Sequence, residues 1–173
     1  MSAVGLVVGN PKAASRTLAL GSAVVAAAAD AAGLDGSDRL TVDLADLGPQ
    51  LFDWSSADVR TAVDGVRSCS LVVVASPTYK ASYTGLLKSF LDWFSTTDLL
   101  GVTVVPVMTG AGAHHALAVE VHLRPVLIEL GATVPTRGLY VTEGELAASD
   151  DVIVEWLLAA GPQLRRAVST MRP

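Results

Sequence analysis

Three short stretches carry residue types suited to gripping a small phosphorylated molecule. The first is Gly9-Asn10-Pro11-Lys12-Ala13-Ala14-Ser15-Arg16-Thr17, between an apolar run, Val4–Val8, and an alanine-rich stretch, Leu18–Ala32. A helix N-terminus exposes N–H groups without internal partners and carries partial positive charge, so it attracts phosphate. Ser15 and Thr17 add hydroxyl donors, and Arg16 adds a guanidinium able to grip phosphate oxygens through two hydrogen bonds. Ser15 also reads as a plain N-cap, and the two readings are compatible. The loop has neither the Gly-x-x-x-x-Gly-Lys-Ser/Thr pattern of nucleotide-hydrolysing loops nor the Gly-x-Gly-x-x-Gly of dinucleotide clamps. A monophosphate fits it better.

The second stretch, Ser76–Gly85, follows the apolar run Leu71–Ala75. Pro77 shapes a turn, Thr78, Tyr79 and Lys80 follow, and Gly85 permits close backbone approach. Its backbone N–H and C=O groups suit the edge of a flat heterocycle. The third stretch, Thr109-Gly110-Ala111-Gly112-Ala113, follows Val102–Met108 and presents further backbone amides. A monophosphate site, a stem and a flat ring together point to FMN.

These stretches need a scaffold that brings them to one place. Strand and helix patterns alternate along the chain. Strands are expected at Val4–Val8, Arg39–Leu44, Leu71–Ala75, Val102–Met108 and Gly138–Val141. Helices are expected at Leu18–Ala32, Ala57–Arg67, Thr84–Phe94, His114–Leu130 and Asp151–Met171, the last with a break near Gly161-Pro162. Ala45–Ser56 reads as loop around Gly48-Pro49. Trp93 falls off the apolar face of its helix and hints at a subunit contact. Pro125 lacks an N–H, so the Val121 carbonyl loses its helical partner, and a kink or π-bulge is expected there. The chain, 1–173, reads as one domain: an α/β, doubly wound, five-stranded parallel sheet of order 2-1-3-4-5 with helices on both faces. The switch point then lies between the first and third strands, where the loops after Val8 and Ala75 face each other.

Composition narrows the partners. The net charge of -5 gives no reason to expect nucleic acid. Mean hydropathy is +0.48, yet no apolar run reaches the length of a membrane span. Lys12, Arg16 and Leu18–Ala32 mimic a signal peptide, but the strand before them, and Asp30 and Gly33 that end the run, favour an ordinary helix. Cys69 reads as a buried small hydrophobe, in keeping with a cytoplasmic protein.

Ser76-Pro77-Thr78-Tyr79-Lys80-Ala81-Ser82-Tyr83-Thr84-Gly85-Leu86-Leu87-Lys88 resembles the signature of the NADPH-dependent FMN reductase family, and is most similar to the alkanesulfonate-type reductases of two-component monooxygenase systems. The first loop resembles that family's phosphate loop, with Asn10 where serine is usual. Thr109-Gly110 with His115, then Leu117-Ala118-Val119-Glu120 and Leu123-Arg124-Pro125-Val126-Leu127, resemble its third loop and following helix, with Val121-His122 where some relatives carry an inserted tyrosine. The resemblance implies a flavodoxin-like fold, FMN, NADPH or NADH as reductant, and homodimers or homotetramers. It makes a flavin-dependent monooxygenase the expected partner. Candidate cofactor-binding residues are thus Asn10, Ser15, Arg16 and Thr17; Pro77, Thr78, Tyr79, Lys80 and Ser82; and Thr109, Gly110, Ala111, Gly112 and His115.

Hydride passes between cofactors, so no catalytic acid–base residue and no metal ligand is assigned. Backbone N–H groups around Pro77–Lys80 and Thr109–Gly112 are expected to hold the ring. Lys80 reads either as a phosphate contact or as a solvated surface lysine. His114 and His115 read as caps, flavin contacts or part of a nicotinamide pocket, and His122 as an interface histidine. Two alternatives share the motifs or the fold: an FMN-bound quinone, azo or metal-ion reductase, and a flavodoxin-type electron carrier.

Overall fold

A computed structural model describes residues 3–171. Its strands are β1 (Ala3–Val8), β2 (Asp38–Asp43), β3 (Leu71–Pro77), β4 (Thr103–Gly110) and β5 (Leu139–Thr142). They form one parallel sheet in the order β2-β1-β3-β4-β5. The central strands β3 and β4 are buried along their whole length, as strands covered on both faces must be. Helices α1 (Arg16–Ala32) and α6 (Ser149–Met171) cover one face through Val24, Ala28, Ile153 and Leu164. Helices α3 (Ala57–Arg67), α4 (Gly85–Leu91) and α5 (Arg124–Glu129) cover the other through Val59, Val63, Leu87, Phe90 and Leu127. The flavodoxin-like architecture and strand order expected from the sequence are those observed.

Small residues let α1 sit close to the sheet. A Cβ at Gly21 would lie 2.7 Å from Leu6 Cδ1 and 3.3 Å from Ala75 Cβ. Ser15 caps the helix by accepting from the Leu18 N–H at 3.1 Å, and Gly33, at φ 72°, ends it in the left-handed conformation.

Several local expectations need correction. Residues 45–56 are not a plain loop: α2 (Leu44–Leu47) is capped by Asp43, and a 3-10 turn spans Gly48–Phe52 with Pro49 in its first positions. Buried Leu44 and Leu51 supply the apolar anchor for both. Helix α4 ends at Leu91, short of Phe94. Trp93 is not directed away from the subunit. Its indole N–H donates to the Leu51 carbonyl at 3.0 Å, and its ring lies 4.8 Å from that of Trp54. Ser76 and Pro77 continue β3 opposite Met108 and Thr109, and Thr109 and Gly110 continue β4, so the second and third loops begin later than expected. Helix α6 passes Gly161 and Pro162 without a break. Leu164 and Val168, beyond the proline, still pack into the core beneath α1, and that packing overrides the local breaker.

The stretch 114–130 is not one helix. A 3-10 turn at Ala113–His115 leads to a π-helical turn at Val119–Leu123, and α5 starts at Arg124 with Pro125 in its first turn. The bulge falls where the missing Pro125 N–H requires it. It also places Glu120 and Arg124 as a clamp on the chain entering β5. Arg124 Nε donates to Glu120 Oε2 at 2.5 Å and Nη1 to the Val134 carbonyl at 2.9 Å, and Nη2 donates to the Thr136 carbonyl. Glu120 Oε1 accepts from the Gly138 N–H at 2.6 Å. Burial would raise the Glu120 pKa, but the Arg124 hydrogen bond and the Gly138 N–H outweigh it and hold the carboxyl below its ordinary value.

Thr84 ties the first loop to the second. Its hydroxyl donates to the Gly9 carbonyl at 2.5 Å and accepts from the Leu87 N–H at 3.1 Å, capping α4. Its own N–H donates to Ser76 Oγ at 3.1 Å.

Thr84→Val should remove the cap and orphan the Gly9 carbonyl, costing about 2 kcal/mol of unfolding free energy in urea titrations. For Glu120 the folded pKa lies below the unfolded one. Its contribution is therefore full above about pH 4.3 and lost as pH falls through the lower folded value. Glu120→Gln should lower stability at pH 7 and flatten the loss between neutral and acid pH, read from urea midpoints across that range.

Candidate functional site

The carboxyl ends of β1, β3, β4 and β5 open onto a cleft of about 410 Å³. Asn10, Ser15, Arg16, Thr17, Pro77, Thr78, Tyr79, Thr109, Gly110 and Ala111 all line it. The three loops singled out in the sequence therefore meet at the switch point of the sheet. A larger groove of about 590 Å³ beside β5 and α6 uses no residue of the first two loops.

The loops are cross-linked. Thr17 is buried, and its hydroxyl accepts from Asn10 Nδ2 at 3.0 Å and stands 3.4 Å from the Thr109 hydroxyl. Asn10 Oδ1 accepts from the Lys12 N–H at 3.0 Å, closing an Asx turn inside the first loop. Ala14 in that loop takes a left-handed φ of 50°. The Thr78 N–H donates to the Thr109 carbonyl at 2.6 Å and so joins the second loop to the third. Arg16 reaches across the mouth of the cleft to Glu143, Nη2 to Oε1 at 2.9 Å.

Beyond Thr78 the chain makes a tight hairpin. The Tyr79 N–H donates to the Ser82 carbonyl at 2.8 Å, and the Ser82 N–H returns to Tyr79 at 3.1 Å. Lys80 and Ala81, at φ 51° and 67°, form its tip. Positive φ at two successive non-glycine residues is costly and recurs at functional sites. The backbone donors expected at Thr78 and Tyr79 are thus engaged within the protein. What Thr78 has left is its hydroxyl, which is buried and without a partner in hydrogen-bond geometry among the described residues. The Tyr140 hydroxyl beside it is turned to the Gly112 carbonyl at 2.9 Å. Burial raises the Tyr140 pKa, with Thr78 opposing the shift.

Gly110 is a position that admits no side chain. A Cβ there would collide with the Tyr140 hydroxyl and lie 3.3 Å from Thr78 Oγ1. The bare backbone of β4 therefore faces both groups.

Four candidate residues are not in the cleft lining. Lys80 is exposed at the hairpin tip, and Ser82 is engaged in the hairpin. Gly112 gives its carbonyl to Tyr140. His115 is half-buried, its ring 4.0 Å from that of His114. Conversely, Lys12, Ala14, Glu143 and Leu146 line the cleft but were not among the candidates. Glu143 and Leu146 follow β5. The rule that every parallel strand ends on the same edge was the signal available for them. Among the described residues no cluster of three or more His, Cys, Asp or Glu side chains is placed to hold a metal ion, and no helix is long and apolar enough to cross a membrane.

A parallel sheet of this order, with a phosphate-type loop at its switch point, defines a flavodoxin-like protein. Residues 1–145 match the family described as NADPH-dependent FMN reductase, and the chain belongs to that family. It is similar to an FMN reductase (NADPH) of Pseudomonas aeruginosa, 33% identical over 133 residues, covering 76% of this chain and 72% of the relative. It is also similar to the NADH-dependent FMN reductase SfnF of Pseudomonas putida, 38% identical over 90 residues, 52% of this chain. There the chain spans only about half of the relative's length, 48%. Among solved structures, the apo form of the NADH:FMN oxidoreductase EMOB superposes with a TM-score of 0.79 at 30% identity, covering 99% of this chain and 88% of that one.

Gly110→Ala should displace Tyr140 and crowd Thr78, lowering FMN affinity at least about tenfold as measured by flavin fluorescence quenching.

Proposed function

We propose that this protein is an NAD(P)H-dependent FMN reductase. The observation that carries the reading is the convergence on one cleft of the α1 N-terminus, with Ser15, Arg16 and Thr17, and the Thr78–Gly110 wall. The donor set fits a phosphorylated flavin. The first group is hydroxyl, guanidinium and helix N–H, the chemistry that binds phosphate. The second is the buried Thr78 hydroxyl, with only the Tyr140 hydroxyl close to it, beside a backbone stripped of its side chain, which suits the polar edge of a planar ring.

Bound there, FMN would supply the hydride-accepting chemistry. The chain's own part is to bind and orient. Ser15, Arg16 and Thr17 hold the phosphate, and the Thr17–Asn10 and Thr17–Thr109 contacts keep the first loop in register with the third. Thr78 Oγ1 donates to the ring edge. Tyr79, half exposed at the rim, shields the ring from water. Asn10, Pro77, Thr109 and Ala111 shape the walls, while Lys80, Ser82, Gly112 and His115 act from outside them.

The reduced flavin goes to a flavin-dependent monooxygenase, and the protein works in the cytoplasm as a homodimer or homotetramer. The resemblance of the second loop to the alkanesulfonate-type reductases supports this. So do the exposed Leu117, Val121 and Ile128 on the segment after the third loop, which suit a subunit contact.

NADH or NADPH oxidation should saturate with added free FMN. A tightly held flavin with turnover only on a quinone, azo dye or metal ion would replace this reading with a flavin-bound reductase. No oxidation with either nucleotide would leave an electron carrier.

A further inference from the structure

Glu143 is out of place by charge. It lines the same cleft as Ser15, Arg16 and Thr17, where an anion is expected to bind. Its backbone is not free to leave, because its N–H donates to the Gly110 carbonyl at 2.8 Å and continues the hydrogen bonding of β5 with β4. Its side chain crosses the cleft mouth to Arg16, Oε1 to Nη2 at 2.9 Å, between residues 127 apart in sequence. The pair is open to water: the Arg16 side chain is 68% exposed and that of Glu143 51%. Ion pairs of this kind are weak and exchange partners readily.

Arg16 binds a phosphate well only when its planar fork meets two oxygens together. With Nη2 held by a carboxylate the fork is partly occupied. A phosphate at the α1 N-terminus must therefore compete with Glu143 for that nitrogen, and it has Glu143 near it as a like charge. Both effects act against flavins that carry phosphate and neither acts against one that lacks it.

We infer that Glu143 is a built-in competitor for Arg16 that loosens the grip of the cleft on the flavin phosphate and so favours release of FMN over its retention as a fixed prosthetic group. This rests on the reading that the cleft takes FMN with its phosphate at the α1 N-terminus. Glu143 is then a specificity-determining residue. It touches the phosphate-binding guanidinium and has no part in hydride transfer.

The test measures dissociation constants for FMN and riboflavin by fluorescence quenching, in the wild type, Glu143→Gln, Arg16→Ala and the double variant. Glu143→Gln should tighten FMN about three- to tenfold, the combined scale of one exposed ion pair and one screened like-charge contact. Riboflavin affinity should stay the same. In the Arg16→Ala background the gain should shrink to the screened like-charge contact alone, because no guanidinium remains to compete for. Unchanged or weaker FMN binding in Glu143→Gln, equal tightening of riboflavin, or a gain undiminished without Arg16 would each overturn the inference while leaving the FMN site standing. A wild type that binds riboflavin as tightly as FMN, or binds neither, would overturn the phosphate assignment and this inference with it.

Discussion

The Thr84 hydroxyl donates to the Gly9 carbonyl at 2.5 Å, and the whole switch point hangs on that contact. Gly9 is the first residue after β1, and its N–H is already held by the Ala75 carbonyl at 2.8 Å. A Cβ at Gly9 would lie 2.6 Å from that of Leu87. The start of the first loop is thus pressed against α4 by packing and fixed by hydrogen bonds on both sides of its peptide. The same hydroxyl caps α4, so the helix that follows the second loop cannot form in its observed place without fixing the first. One buried side chain couples two sheet-edge loops far apart in sequence.

From that point the other constraints follow in order. With β1 and β3 in register, α1 must start beside the second loop, and Gly21 lets it approach the sheet closely enough for Thr17 to become buried. Thr17 then meets Asn10 and Thr109 together. The Thr78 N–H closes the circuit to Thr109. The cleft is organised by its own hydrogen bonds, and organisation before binding reduces the ordering cost that a ligand must otherwise offset. The exception is the Arg16–Glu143 pair at the mouth, a single charge-assisted hydrogen bond open to water.

How much of this the sequence revealed depends on the range of the cause. The strand order, the switch point and the three loops were legible because alternating apolar runs and crossover helices leave few topologies open. The π-helical turn was legible because a proline removes one identifiable donor. The hairpin tip at Lys80-Ala81 was not. Neither residue favours positive φ, and the conformation is imposed by pairing of Tyr79 with Ser82 between a fixed strand end and a fixed helix cap. The place of Trp93 is hidden for the same reason. Off the apolar face of the expected helix it hints at a subunit contact, but its partners, Leu51 and Trp54, lie in a segment that reads as loop. Pro162 predicts a break because helix propensity is local, while the α1–α6 contact that keeps α6 whole is not.

Glu143 shows where the two kinds of information divide. Nothing about a Thr-Glu-Gly-Glu run after a short strand marks it as part of an anion site, and its charge argues against one. Only the parallel pairing of β4 with β5 carries it to the mouth of the cleft opposite Arg16. The donors that attract a phosphate come from one continuous segment and are readable as a motif. The group that opposes them comes from the other end of the chain and is set by topology. A site assembled this way can have its affinity adjusted at β5 without disturbing the segment that defines what it binds.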